Sequence, residues 1–75
     1  MTPETRAANT VARALGIQGE VPPGADMASL AAWDSMSHVA LLLELEKELG
    51  RPLAAEEVAS IDSVRAVARL FGAAA

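Results

Sequence analysis

The chemistry open to this chain is narrow, because it contains no cysteine and only one histidine, His38. A thiolate nucleophile, a disulfide and a Cys-based zinc site are excluded, and one imidazole cannot build a His-rich metal cage. Hydroxyls and carboxylates remain. Among them Trp33-Asp34-Ser35-Met36 stands out, since it closes a long Gly- and Pro-containing stretch and opens a Leu- and Glu-rich one. Asp34 is a helix cap by type. Ser35 falls in the first turn, where free backbone N–H groups and the positive end of the helix dipole favour an anion. A phosphate ester on the Ser35 hydroxyl would be stabilised there and would stay accessible. Asp-Ser is also ordinary capping chemistry, so the pair alone leaves both readings open. Ser37 is a fallback hydroxyl for modification. His38, with no acid or nucleophile placed to work with it, reads as a satisfied, partly buried ring.

These residues need elements to position them, and the pattern predicts an all-α chain: helix, long loop, helix, short helix, helix. Thr2, Pro3 and Glu4 make a sound helix start. Ala8, Val11, Ala12 and Leu15 follow at helical spacing, and Gly16 stops the helix. From Gly16 to Trp33 there is no sustained period, which implies a loop of about eighteen residues, a length that is uncommon unless the loop is functional or disordered. Leu30 and Trp33 are expected to dock its second half on the core.

The central helix is expected from about Ser35 to Leu49, closed by Gly50 and Pro52. On a helical wheel Leu41, Leu42, Leu45 and Leu49 form a core-facing stripe with His38 on the same side. Met36, Val39 and Leu43 form a second stripe on roughly the opposite side, which needs another neighbour. A short helix over residues 54–60, flanked by Leu53 and Ile61, could partly cover it. Leu53, Val58 and Ile61 could line a shallow cleft against the central helix, plain core packing being the stronger role for Ile61. Asp62 or Ser63 can cap a last helix carrying Val64, Val67, Ala68 and Phe71, which Gly72 is expected to end, leaving a fraying tail of Ala73, Ala74 and Ala75.

With 75 residues the chain is expected to be one domain, residues 1–75. Alanine makes up 17 of its apolar residues, so the remaining apolar side chains suffice for one modest helical core and leave little room for a deep catalytic cavity. An enzyme is disfavoured. The net charge of −4, with no basic stripe and few aromatics, disfavours nucleic acid. The longest strongly apolar run, residues 39–43, is far too short to span a bilayer, and Glu4 sits where a signal peptide would be basic or apolar. A cytoplasmic monomer is expected. Asp34, Glu44, Glu46 and Glu48 against Lys47 place most of the net charge on the central helix. Such a surface would steer a basic partner. A solvated face with Glu44 and Lys47 paired accounts for it as well. Glu44, Glu48 and Arg51 read as surface ion-pair partners.

Taken together, Trp33-Asp34-Ser35-Met36, then Val39, Leu41, Leu42, Leu43, Glu44, Leu45, Glu46 and Leu49, then Leu53, Glu56, Glu57, Ile61, Ser63 and Val64, resemble the acyl carrier protein family over nearly the whole chain. The resemblance implies a four-helix bundle with a long loop between the first two helices and a short third helix. It also implies an Asp-Ser-Leu triplet at the start of the second helix, whose serine, here Ser35, bears 4′-phosphopantetheine. Met36 replaces the usual leucine, a near-isosteric change. Ser37 and Ala40 stand where many fatty-acid carriers have acids, which favours specialised metabolism, polyketide or unusual acyl or aminoacyl units over bulk fatty-acid synthesis.

The resemblance implies no catalytic residue and no metal. A phosphopantetheinyl transferase would load Ser35 from coenzyme A. The thiol of the arm would then carry acyl groups as thioesters between acyl-loading, ketosynthase or other condensing, acyltransferase and thioesterase-type enzymes. Asp34, Met36, Val39, Leu43, Glu46 and Val58 are the expected partner contacts. The alternatives are a peptidyl or aminoacyl carrier, which more often has Gly-Gly-x-Ser at this point, and a carrier-like helical interaction module without a prosthetic group. A small hydrolase is weakest, lacking a base beside any nucleophile.

Overall fold

Each helix begins where a side chain or an imino acid can relieve the unpaired N–H groups of a first turn. In α1 (Pro3–Leu15) the Thr2 side chain accepts the Thr5 N–H and Pro3 removes one orphan donor. Asp34 caps α2 (Ser35–Leu49), and Ser63 caps α4 (Val64–Ala74), its hydroxyl accepting the Ala66 N–H at 3.1 Å. Before α3 (Ala55–Ser60) stands Ala54, which has no oxygen to offer; there Glu57 reaches back to accept the Ala54 N–H at 2.8 Å. Gly16 and Gly50 end α1 and α2 at φ near +71°, the left-handed conformation in which a Cβ is strained.

A computed structural model describes residues 2–74, with side-chain surroundings up to Ala73. Among them the four helices form without strands, as the pattern predicts. One expectation is overturned at the end of α4, which runs through Gly72 to Ala74. Gly72 stops a helix only by turning left-handed, and its φ is not positive. The alanines behind it are the best helix formers and no proline follows. Ala73 and Ala74 therefore continue the helix, and Ala75 lies outside the described residues.

The core is built around α1. Ala7 and Val11 meet Leu41 and Leu45 of α2 and Val64, Val67, Ala68 and Phe71 of α4, all buried. Fully burying a residue such as Leu45 or Phe71 contributes about 1.5–3 kcal/mol. The first turn of α1 lies beside the ends of both partner helices: the Arg6 guanidinium sits 4.1 Å from the Phe71 ring centroid and pairs with Glu48 at 3.1 Å.

The 16–33 loop is ordered by contacts that alternation and periodicity do not reveal. Val21, Ala25 and Trp33 enter the core, so the first half of the loop contributes as well as the second. The chain near Asp26 pairs with Ser63 as an isolated antiparallel bridge, with Met27 N–H donating to the Asp62 carbonyl and Val64 N–H to the Ala25 carbonyl, each at 3.0 Å. The loop is thereby fastened to the entrance of α4, and it reaches α2 from a set direction.

Candidate functional site at the start of helix α2

The junction between the loop and α2 is held by a compact hydrogen-bond network. Asp34 Oδ1 accepts the Met36 N–H at 3.1 Å and the Ser37 N–H at 3.0 Å. Ser37 answers as the other half of a capping box, its hydroxyl accepting the Asp34 N–H at 3.0 Å and donating to the Ala32 carbonyl at 2.6 Å. The Ser37 bonds, followed by the Met36 N–H, hold the Asp34 carboxyl below its ordinary range, so it stays ionised. The Ser37 hydroxyl, the fallback attachment point by sequence, is tied down on both sides.

Ser35 is different. Its side chain is exposed, and its hydroxyl takes part in none of the hydrogen bonds among the described residues. It stands within the field of the helix N-terminus. Two of the first-turn N–H groups are, however, already occupied by Asp34. An ester on Ser35 would gain the dipole's field without those two hydrogen bonds, and it would have the Asp34 carboxylate as a neighbour. The anion-binding tip expected from the sequence is thus largely filled by the protein's own cap. What the tip offers at Ser35 is an unengaged, accessible hydroxyl.

Around this hydroxyl the other expected residues divide. Met36, Val39 and Leu43 are 83%, 55% and 62% exposed, a large apolar surface left open on α2. The expectation that the short helix would partly cover this stripe is not met. Val58, on α3, is 36% exposed, and Leu53 is half-buried. Ile61 is buried in the core, which removes it from the proposed cleft. Glu46 is half-buried and accepts the Leu53 N–H at 2.9 Å, so its carboxylate holds the turn between α2 and α3.

The remaining α2 acids also turn inward. Glu48 pairs with both Arg6 and Arg13, and Glu44 turns to Arg13 at 3.5 Å rather than to Lys47. The two arginines, Arg6 first, hold the Glu48 carboxyl below its ordinary range. Arg51 pairs with Glu57 at 2.8 Å. The acidic steering surface expected on α2 is therefore mostly a set of internal ties.

One contact escaped sequence reasoning altogether: the Trp33 indole N–H donates to His38 Nδ1 at 3.0 Å. Trp33 is outside the helix and five residues from His38, so no helical spacing flags the pair. The capping box was hidden for a related reason, since Ser37 stands where Glu or Gln is the usual signal.

Residues 6–71 match the family model described as a phosphopantetheine attachment site, and the chain belongs to that family. It is a carrier protein whose domain bears covalently attached 4′-phosphopantetheine; such domains are typically not catalytic themselves and work with a phosphopantetheinyl transferase and biosynthetic enzymes. No curated protein and no solved structure matches the chain. No helix among the described residues is long and apolar enough to cross a membrane.

Proposed function

We propose that Ser35 is the hydroxyl esterified by the phosphopantetheinyl group and that the chain carries acyl units between the enzymes that load, extend and release them. The observation that carries this reading is the contrast between two serines in one helical turn. Ser37 is bound by the cap, whereas Ser35 is exposed and unengaged. When bound, the group supplies a terminal thiol that holds cargo as a thioester, chemistry a chain without cysteine otherwise lacks. Ser35 provides the tether, and tethering raises the local concentration of cargo at any docked enzyme.

Asp34 keeps the helix tip rigid while remaining exposed beside the attachment point. Met36, Val39 and Leu43 form the apolar part of the surface a visiting enzyme meets, with Val58 at its margin and Glu46 contributing through the turn it holds. The low acidity of this surface, with Ser37 and Ala40 in place of acids, favours partners from specialised acyl or polyketide assembly over those of bulk fatty-acid synthesis.

Intact-mass measurement after incubation with a broad-specificity transferase and coenzyme A tests the assignment. The wild type should gain one phosphopantetheinyl group and one titratable thiol, the Ser35 oxygen losing its proton and displacing 3′,5′-adenosine bisphosphate as the pyrophosphate bond of coenzyme A breaks. Ser35→Ala should gain neither while keeping its helical circular dichroism, and Ser37→Ala should still be modified. Modification of Ser35→Ala would remove the assignment.

A further inference from the structure

Ser35 makes no bond that places its hydroxyl, so its position is inherited from the residues on either side. Two ties cross it. The first is the Ser37 hydroxyl on the Ala32 carbonyl at 2.6 Å. The second joins Trp33, the last residue of the loop, to His38, in the first turns of α2, through the indole N–H and Nδ1 at 3.0 Å. Trp33 is 3% exposed and its backbone N–H is held by the Leu30 carbonyl, so its indole is fixed in the core. The two rings are tilted by 30° with centroids 6.3 Å apart. Acceptance at Nδ1 puts the proton of the neutral imidazole on Nε2. A buried indole N–H needs an acceptor, and among the described residues His38 is the partner it has.

We infer that His38 is a positioning residue for the modification of Ser35: its Nδ1 clasps the Trp33 indole, locking the loop end to the helix turn and so fixing where the hydroxyl between them is presented. This rests on the assignment of Ser35 above. The clasp acts through geometry. Among the described residues the His38 side chain makes no hydrogen bond to the Ser35 hydroxyl; it sets the angle at which the loop enters α2. A small misplacement of a reacting atom is costly when a transferase must bring it into line with a phosphate.

Two substitutions separate this role from a merely structural one. His38→Phe keeps a ring but removes the acceptor. His38→Asn places Oδ1, like Nδ1 one bond from Cγ, where it can accept the same indole N–H. The apo protein is assayed with a phosphopantetheinyl transferase and coenzyme A, and the indole N–H of the single tryptophan is followed by its exchange with deuterium in NMR spectra. For His38→Phe, kcat/KM for modification should fall about tenfold and the indole should exchange faster, with the helical circular dichroism retained. His38→Asn should recover most of the rate and the protection.

A His38→Phe protein modified at the wild-type rate, or a His38→Asn protein as slow as His38→Phe, overturns the positioning role. Wild-type protein that resists a transferase active on another carrier overturns the Ser35 assignment and the positioning role with it. A slowly exchanging indole in that same sample would show that the attachment site was misassigned while the clasp itself exists.

Discussion

The two halves of α2 are put to opposite uses: the acids of the C-terminal half are tied within the chain, and the apolar residues of the N-terminal half are left open. In the C-terminal half, Glu44, Glu46 and Glu48 look like a solvent-facing acidic run, yet each has a partner within the chain: Arg13, the Leu53 N–H, and Arg6 with Arg13. In the N-terminal half, Met36 and Val39, on the stripe opposite the core, stand in solvent, with Leu43 continuing the patch. Charge count alone therefore does not say which part of a helix is left open. Acids close to arginines on a neighbouring helix are used to fix that helix, and the open surface is the apolar one beside an unengaged hydroxyl. One end of the central helix is thus tied to α1 and to the turn before α3, while the other leaves an apolar surface open.

Denaturation separates the core from the open patch by the largest expected effect. Leu45→Ala should cost about 2–5 kcal/mol in a urea titration, because Leu45 is fully buried. Met36→Ala should change stability by about 0.5 kcal/mol or less. Equal losses would mean that the exposed stripe is covered in solution. Asp34→Ala should come next, lowering the thermal midpoint by several degrees as two first-turn N–H groups lose their acceptor. Asp34→Asn should restore most of it, since asparagine caps about as well.

A smaller effect is expected from Glu48→Gln, about 1 kcal/mol or less, shrinking further in high salt because these ion pairs are partly exposed. The smallest is an acid-side slope from Glu57. The Arg51 guanidinium, helped by the Ala54 N–H, lowers its carboxyl from the ordinary 4.5 to about 2. A depressed folded-state value means that the contribution is whole above about pH 4.5 and is lost as pH falls through about 2. Stability measured across that window should flatten in Glu57→Gln. An unchanged slope would place the acid sensitivity in Asp34 and Glu48 instead.

Much of this was legible in the residues. Thr2-Pro3 and Gly16 bound α1, and Asp34 and Gly50 bound α2, because caps and left-handed glycines are local chemistry. Leu41 and Leu45 declare the core by spacing, and Ser35 is marked by its place after the cap. Beyond the junction contacts of Trp33 and Ser37, what was not legible depends on neighbours remote in the chain. Arg6 and Arg13 claim Glu48 from more than thirty positions away, and Ala25 and Met27 meet the entrance of α4. Gly72 does not end α4, because a glycine permits a stop without enforcing one.

Residue types and spacing were enough for the number and starts of the helices, for the serine that follows the Asp34 cap and for the family, since each rests on interactions within a few residues or on a pattern that survives without coordinates. Tertiary structure alone decided which hydroxyl is free, which carboxylates are already paired, and that the indole of Trp33 rests on His38. Those outcomes turn on distances that residue types do not carry. Arg6 and Arg13 reach Glu48 across the fold. Ser37 and Trp33 find partners three to five residues away only because the loop enters α2 at one angle, within the roughly 3 Å reach of a hydrogen bond.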